Sequence, residues 1–159
     1  TGAAAAVCPT SNAFLGSGFF DFTSSQSHNM RMGLASDVGA GTSMNVVRTM
    51  RAAYETARVG LPQQGRAGVS LSPSYLWWLH TAGAAQALDL GRVVGNLQPG
   101  YEADFVVINP NATPILERKA QVCNTLDEQL FAMIVLGDDR LIAHTHVARS
   151  AVHTMPQEQ

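Results

Sequence analysis

The sequence is poor in charge, and it lacks both a basic cluster and a long apolar run. Charged residues make up 14% of its 159 residues, against about 25% in ordinary soluble domains, so we expect other protein to cover part of the surface. A net charge of -2 without a basic patch argues against a nucleic-acid partner or an anionic membrane surface. No stretch reaches the about 18 apolar residues of a membrane-spanning helix, so no membrane partner is predicted.

Cysteine is also scarce. Cys8 and Cys123 lie far apart and form no CxxC pair, which excludes a zinc knuckle or a redox motif of that kind. Two free thiols are typical of a reducing compartment, and we expect a cytoplasmic protein. The chain starts without a methionine or the basic start of a signal peptide. Its small apolar opening run, residues 3–7, favours a strand and leads us to expect a fragment of a longer protein.

A lone acid, Asp37, follows a second strand candidate, residues 30–35, and precedes the glycine-rich stretch "GAGTS". Ser43 is a candidate N-cap, and apolar residues then recur at helical spacing: Val47, Met50, Tyr54 and Ala57. Strand, turn and helix units of this kind build α/β folds, in which functional groups gather beyond the carboxyl ends of the strands. The topology therefore places Asp37 where chemistry occurs.

The residues alone leave several roles open for Asp37. "GAGTS" lacks the lysine and spacing of a P-loop and the third glycine of a dinucleotide fingerprint, so a phosphate cradle is disfavoured. A turn or capping carboxylate is the plainest interpretation, because Asp is common in turns. A metal ligand or a proton carrier would need partner residues.

Ser72 and Pro73 predict a sharp start for a second helix. Its apolar stripe continues to Leu88, and Gly91 is the predicted C-cap. His80 lies on this stripe, where we expect a hydrogen-bonded core or interface residue. The sequence assigns no function to it.

From residue 95 onward the pattern indicates a β-rich unit without a strong helix. Strands are predicted at residues 105–108, 130–136 and 143–147, the last two joined by the charged turn "GDDR". His144 and His146 alternate along the last strand and share a face, as a pair of metal ligands would. An isolated pair, however, leaves a zinc site short of ligands.

Four segments in order carry a family resemblance: "CPTSNAFLGSGFFDF", "MGLASDVGAGTSMNVVRTM", "GAAQALDLGRVVGNLQPGYEADFVVINP" and "VLGDDR". Together they resemble the C-terminal part of the guanine deaminases, metal-dependent purine aminohydrolases of the amidohydrolase superfamily. "VGNLQPGYEADFVVI" alone would indicate only the superfamily, whereas "SDVGAGTS" and "LGDDR" narrow the resemblance to guanine deaminases. It extends from Val7 to about Val152.

The resemblance implies an α/β fold that is incomplete on its own. Residues 1–94 would form the last strands and helices of a (β/α)8 TIM barrel, and residues 95–159 would form part of a small β-sandwich. It further implies a zinc cofactor, guanine as substrate, a homodimer, and a missing N-terminal part of the same protein as partner. The His-x-His pair of the first strand, the later metal histidines and the catalytic Glu would all lie in that part.

By the same resemblance, Asp37 ends the last barrel strand and serves as metal ligand and proton shuttle. Ser11 and Asn12 are candidate residues of the substrate pocket. The implied reaction is hydrolysis of guanine to xanthine and ammonia by metal-activated water. The alternatives are another aminohydrolase of the superfamily, acting on a purine, pterin or triazine, and a non-catalytic fragment or interaction module. We expect the chain by itself to be inactive.

Overall fold

Two short parallel strands form the first sheet in the computed structural model, which describes residues 2–156. Strand β1 spans Ala4–Val7 and pairs with β2, Arg31–Leu34. Parallel neighbours need a crossover connection, and two short helices provide it: α1, Pro9–Leu15, and α2, Phe22–Ser27. Both predicted strands are thus confirmed, and their carboxyl ends lie at one edge of the sheet.

Helix α3 spans Val46–Val59 and follows β2. The predicted apolar face is confirmed, since Val47, Met50 and Ala57 are buried. The predicted cap is two residues early, because Asn45 rather than Ser43 is the N-cap. The Asn45 side chain accepts a hydrogen bond of 3.0 Å from the Val47 N–H. The Ser43 hydroxyl instead accepts one of 3.0 Å from the Asn45 N–H, so it supports the cap without being it.

The second predicted helix begins where expected but is broken in two. Helix α4 spans Pro73–Leu79 and has Ser72 as its N-cap, whereas α5 spans Ala82–Ala87. The helix does not extend to Gly91 as predicted. Thr81 has φ -126° and ψ -105°, outside the helical region, and its hydroxyl donates a 2.9 Å hydrogen bond to the Trp77 carbonyl oxygen.

This break lets α5 turn back against β2. The approach is so close that a Cβ atom on Gly33 of β2 would lie 2.7 Å from the Ala84 Cα of α5. Only glycine at residue 33 permits this contact without a shift of one backbone. The glycine therefore fixes how α5 covers the sheet.

A three-stranded antiparallel sheet follows, with the order β3-β4-β5. Its strands span Phe105–Ile108, Ile142–Val147 and Ser150–Thr154. The predicted strands at 105–108 and 143–147 are confirmed, whereas β5 was not predicted. Every residue in these strands is at least partly exposed. The described part of the chain therefore leaves this sheet without a covering layer.

The prediction of a strand at residues 130–136, and of no strong helix after residue 95, is wrong. Helix α6 spans Pro114–Ala120 and α7 spans Leu126–Leu136. Thr125 and Glu128 form a capping box at the start of α7. The run is apolar because α7 packs against α3 and α4, which buries Ala132, Met133 and Ile134. A 3-10 turn, Asp139–Leu141, leads from α7 to β4.

One hydrophobic core joins these helices. Its most deeply buried residues include Met50 of α3, Leu76 and Leu79 of α4, and Ile134 of α7, none of them more than 1% exposed. The fold is thus mixed α/β, as the sequence predicts. Within residues 2–156, no helix is both long enough and apolar enough to cross a membrane.

Candidate functional site

Asp37 lies just beyond the carboxyl end of β2, at the edge of the sheet where β1 also ends. The Ala35 N–H donates a 2.9 Å hydrogen bond to the Val7 carbonyl oxygen, which continues the pairing of the strands past β2. Cys8 follows β1, and Ser11 lies in the first turn of α1. The parallel sheet thus brings residues 26 positions apart in the chain to one place.

Ser11 and Asp37 are in direct contact. The Ser11 hydroxyl donates a 2.7 Å hydrogen bond to Asp37 Oδ2. Ser11 is only 2% exposed, whereas Asp37 is exposed. Among residues 2–156, Asp37 Oδ1 accepts no hydrogen bond, so one carboxylate oxygen is held and the other is available.

The backbone turns sharply at Asp37. Its φ of 48° lies in the left-handed region, which Asp tolerates better than most residues do. The Asp37 carbonyl oxygen accepts hydrogen bonds from the N–H groups of Ala40, at 3.0 Å, and of Gly41. A capping carboxylate accepts a hydrogen bond from a backbone N–H. Within the described residues, the Asp37 side chain accepts none. The geometry therefore does not favour the plain capping interpretation.

Cys8 lies beside this carboxylate but is poorly suited to ionise. Burial and the negative charge of Asp37 both raise the pKa of the Cys8 thiol. Because the thiolate is the form that attacks electrophiles or binds metals, a raised pKa makes the residue inert near neutral pH. Its Sγ lies 3.6 Å from the Ala6 carbonyl oxygen.

Asn12, the other predicted pocket residue, follows Ser11 in α1 and is partly buried. Its carbonyl oxygen accepts the Ser17 N–H at 3.0 Å and the C-cap N–H of Gly16. In the described part of the chain, the Asn12 side chain makes no hydrogen bond to Ser11 or Asp37. Its assignment to a substrate pocket stays a prediction.

The described residues do not complete a metal site. No group of three or more His, Cys, Asp or Glu side chains with suitable geometry occurs within residues 2–156. A carboxylate oxygen is a good zinc ligand, but a catalytic zinc needs three protein ligands. Asp37 Oδ1 therefore fits one ligand position, and the remaining positions cannot be filled from the described chain.

His144 and His146 share a face of β4 as predicted, but their surroundings are those of a sheet surface. His146 stacks on Phe105 of β3 with ring centroids 4.5 Å apart and an interplanar angle of 10°. His144 Nδ1 lies 3.4 Å from the Thr154 hydroxyl of β5. Both rings thus contact neighbouring strands.

His80, the C-cap of α4, is partly buried, as predicted for a core or interface residue, but the predicted hydrogen bond is not found among the described residues. Its Nε2 atom is buried and has no hydrogen-bond partner within residues 2–156. Burial lowers the pKa of His80 from 6.5 to about 4. The ring is therefore neutral at pH 7.

A cavity of about 350 Å³ lies away from Asp37. Its lining includes Met30 and Arg31, where β2 begins, and the stacked rings of Tyr75 and Trp78. The carboxyl edge of the sheet lies at the opposite end of β2. The candidate site therefore rests on Asp37 and Ser11 and not on this cavity.

Comparison with known proteins identifies the class. Residues 2–148 match the amidohydrolase family, and the chain belongs to that family. It is 39% identical to the guanine deaminase of Escherichia coli strain K12 over 142 residues, which are 89% of this chain and 31% of that protein.

Solved structures agree. The E. coli guanine deaminase superposes with a TM-score of 0.87 and 38% identity over 98% of this chain and 35% of that chain. The guanine deaminase of C. acetobutylicum, with guanine bound in its active site, gives a TM-score of 0.76 and 27% identity over 92% and 33%. The predicted resemblance to guanine deaminases is thus confirmed. The chain spans about a third of the length of the relatives it matches.

Proposed function

We propose that this chain is the C-terminal part of a guanine deaminase whose complete form hydrolyses guanine to xanthine and ammonia. The observation that carries the proposal is the position of Asp37, an exposed carboxylate at the carboxyl edge of a parallel sheet. It stands in a chain similar to a guanine deaminase that holds guanine in its active site.

Asp37 would act in two ways. Its Oδ1 atom would be a zinc ligand at the carboxyl edge of the sheet, and the same carboxylate can accept a proton and return it to the leaving amine. Zinc, when bound, would lower the pKa of a water ligand towards neutrality. The Ser11 hydroxyl holds Oδ2, so Oδ1 is the oxygen that would contact the metal.

An N-terminal part of the same protein would supply the remaining groups. These groups are the metal histidines and the catalytic Glu. The same N-terminal part would form the rest of a TIM barrel, whose last strands and helices would be residues 1–94. Within residues 95–159, the β3-β4-β5 sheet would be part of a β-sandwich, whereas α7 packs against α3 and α4 of the first part. The coverage of about a third of each relative and the uncovered faces of the β3-β4-β5 sheet support this arrangement.

Large apolar side chains on the surface also fit a chain that other protein covers. Phe14 is 68% exposed, Met44 is 75% exposed and Leu97 is 76% exposed. We propose that the N-terminal part, and a second subunit in a homodimer, cover such residues. The two free cysteines fit the reducing cytoplasm as the location.

Ammonia release tests the proposed function. The complete protein is loaded with zinc and offered guanine, adenine, a pterin and a triazine at equal concentrations. We expect guanine to be strongly preferred, and the chelator-treated protein to be inactive. A preference for another ring would retain the aminohydrolase assignment and reject the substrate, whereas no ammonia from any ring would favour a non-catalytic module.

A further inference from the structure

The hydrogen bond between Ser11 and Asp37 joins the two strand-to-helix connections that meet at the candidate site. Ser11 lies in the first turn of α1, which begins at Pro9 directly after β1, and it is 2% exposed. Asp37 belongs to the connection after β2. The 2.7 Å separation of Ser11 Oγ and Asp37 Oδ2 is typical of a strong bond to a charged acceptor.

A buried hydroxyl without a partner is costly, so the side chain of Ser11 needs an acceptor. The hydroxyl carries one proton, and that proton is donated to Asp37. With 2% of its surface exposed, Ser11 has little area left for contact with a substrate. The geometry thus favours action through Asp37 over direct contact with a bound ring.

The bond also selects between the carboxylate oxygens. A free Asp side chain can rotate about its terminal torsion and exchange the two oxygens, because that torsion is broad. With Oδ2 held by a buried helical residue, Oδ1 is the oxygen left without a protein donor among the described residues. Such outer hydrogen bonds orient metal-binding carboxylates and commonly change metal affinity by about 10–100-fold when removed.

We propose that Ser11 is a positioning residue that fixes the Asp37 carboxylate so that Oδ1 is the oxygen presented to the metal. The inference rests on the proposed function. The sequence suggested that Ser11 contacts the substrate in the pocket. The present inference instead gives Ser11 an indirect role, through Asp37.

A double-mutant cycle in the complete protein tests the inference. The variants are Ser11→Ala, Asp37→Ala and the double variant, and the measurement is the rate at which zinc is lost to a chelator. We expect Ser11→Ala to speed zinc loss by about 10-fold or more when Asp37 is present. When Asp37 is absent, we expect Ser11→Ala to change the rate by no more than about twofold, the usual limit for uncoupled sites.

Steady-state kinetics provide a second readout. For Ser11→Ala, we expect a lower kcat and a KM for guanine close to that of the wild type, because Ser11 does not touch the ring. The matched control is Ser25→Ala, which removes another buried hydroxyl, bonded at 2.7 Å to the Asp21 carbonyl oxygen. It should leave both readouts unchanged. If Ser11→Ala does not fold, Ser11→Cys replaces it, since a thiol is a weaker donor of similar shape.

Equal acceleration of zinc loss by Ser11→Ala with and without Asp37 would overturn the inference, as would a raised KM with unchanged kcat.

Zinc content and guanine turnover of the wild type distinguish failure of the proposed function from failure of the inference about Ser11. A zinc-loaded wild type that does not act on guanine would reject the substrate only, and the zinc-loss cycle would still decide the role of Ser11. A wild type that binds no zinc would overturn both.

Discussion

Gly41 lies so close to the Ser36 carbonyl oxygen that a Cβ atom on residue 41 would stand 1.8 Å from it. Gly39, two residues earlier, has no atom within 4 Å of such a Cβ, but its φ is 115°. Both glycines shape the turn after Asp37, the first through close packing and the second through its backbone conformation. The two positions therefore give matched probes of that turn.

We predict that Gly41→Ala displaces Asp37 and lowers guanine turnover of the complete protein by about 100-fold, the effect of misplacing a catalytic group by about 1 Å. Gly39→Ala should cost about 1–3 kcal/mol of stability through backbone strain and retain more activity. Turnover and urea unfolding of both variants check this. Wild-type turnover in Gly41→Ala would show that the turn does not set the position of Asp37.

The Asp37→Asn substitution in the complete protein should nearly abolish turnover without unfolding it. The amide is almost isosteric with the carboxylate and can still accept the Ser11 hydroxyl proton, but it cannot take up a proton and is a weaker metal ligand. Loss of a general base typically costs about 10²–10⁴-fold. Turnover at saturating zinc and circular dichroism provide the test, and wild-type rates in the zinc-loaded variant would exclude the proton-shuttle role.

Much of the fold was predictable because local signals agree with the final structure. The strand before Asp37, the apolar face of α3 and the start of α4 at Ser72 all follow from periodicity and capping residues. The prediction of a strand in place of α7 is wrong because the last seven residues of that helix, 130–136, are all apolar and show no helical alternation of apolar and polar residues. The capping box at Thr125 and Glu128 was the signal that would have corrected it.

Other features depend on tertiary packing and leave little trace in the sequence. The break between α4 and α5 at Thr81 places α5 against β2, and no proline marks it. The position of Asp37 beyond a strand, by contrast, could be predicted from the apolar stretch at residues 30–35 and the glycine-rich turn that follows. The hydrogen bond from Ser11 could not be predicted, because it joins two connections whose proximity depends on the parallel pairing of β1 and β2.

Residues 1–159 produced alone should be inactive and should not hold zinc tightly. Within residues 2–156 no group of three or more possible ligands comes together, and a catalytic zinc needs three protein ligands. The uncovered β3-β4-β5 sheet should also promote self-association, since exposed strand edges pair with other chains. Zinc content, guanine turnover and light scattering of the purified chain check these expectations. A zinc-loaded, active monomer would show that the other ligands lie within this chain.

His80 should make the stability of the complete protein depend on pH. Its pKa is 6.5 in the absence of burial and about 4 in the fold. Between these values the unfolded chain binds more protons than the folded one, so stability falls as pH decreases from 6.5 towards 4 and His80 contributes no further change below that. A pKa difference of this size corresponds to roughly 3 kcal/mol of stability.

His80→Leu removes the titrating group and keeps a side chain of similar bulk, so it should flatten the dependence on pH between 6.5 and 4. Urea unfolding at several pH values measures the slope, and His153→Gln, at an exposed position of β5, is the control that should leave it unchanged. Carboxylates such as Asp21, whose pKa is lowered by the Ser24 N–H and then by Arg66, lose their stabilising contribution mainly below the ordinary Asp pKa of 3.8, so they change stability little between pH 6.5 and 4. Equal slopes for wild type and His80→Leu would show that His80 is protonated in the folded protein as easily as in the unfolded chain.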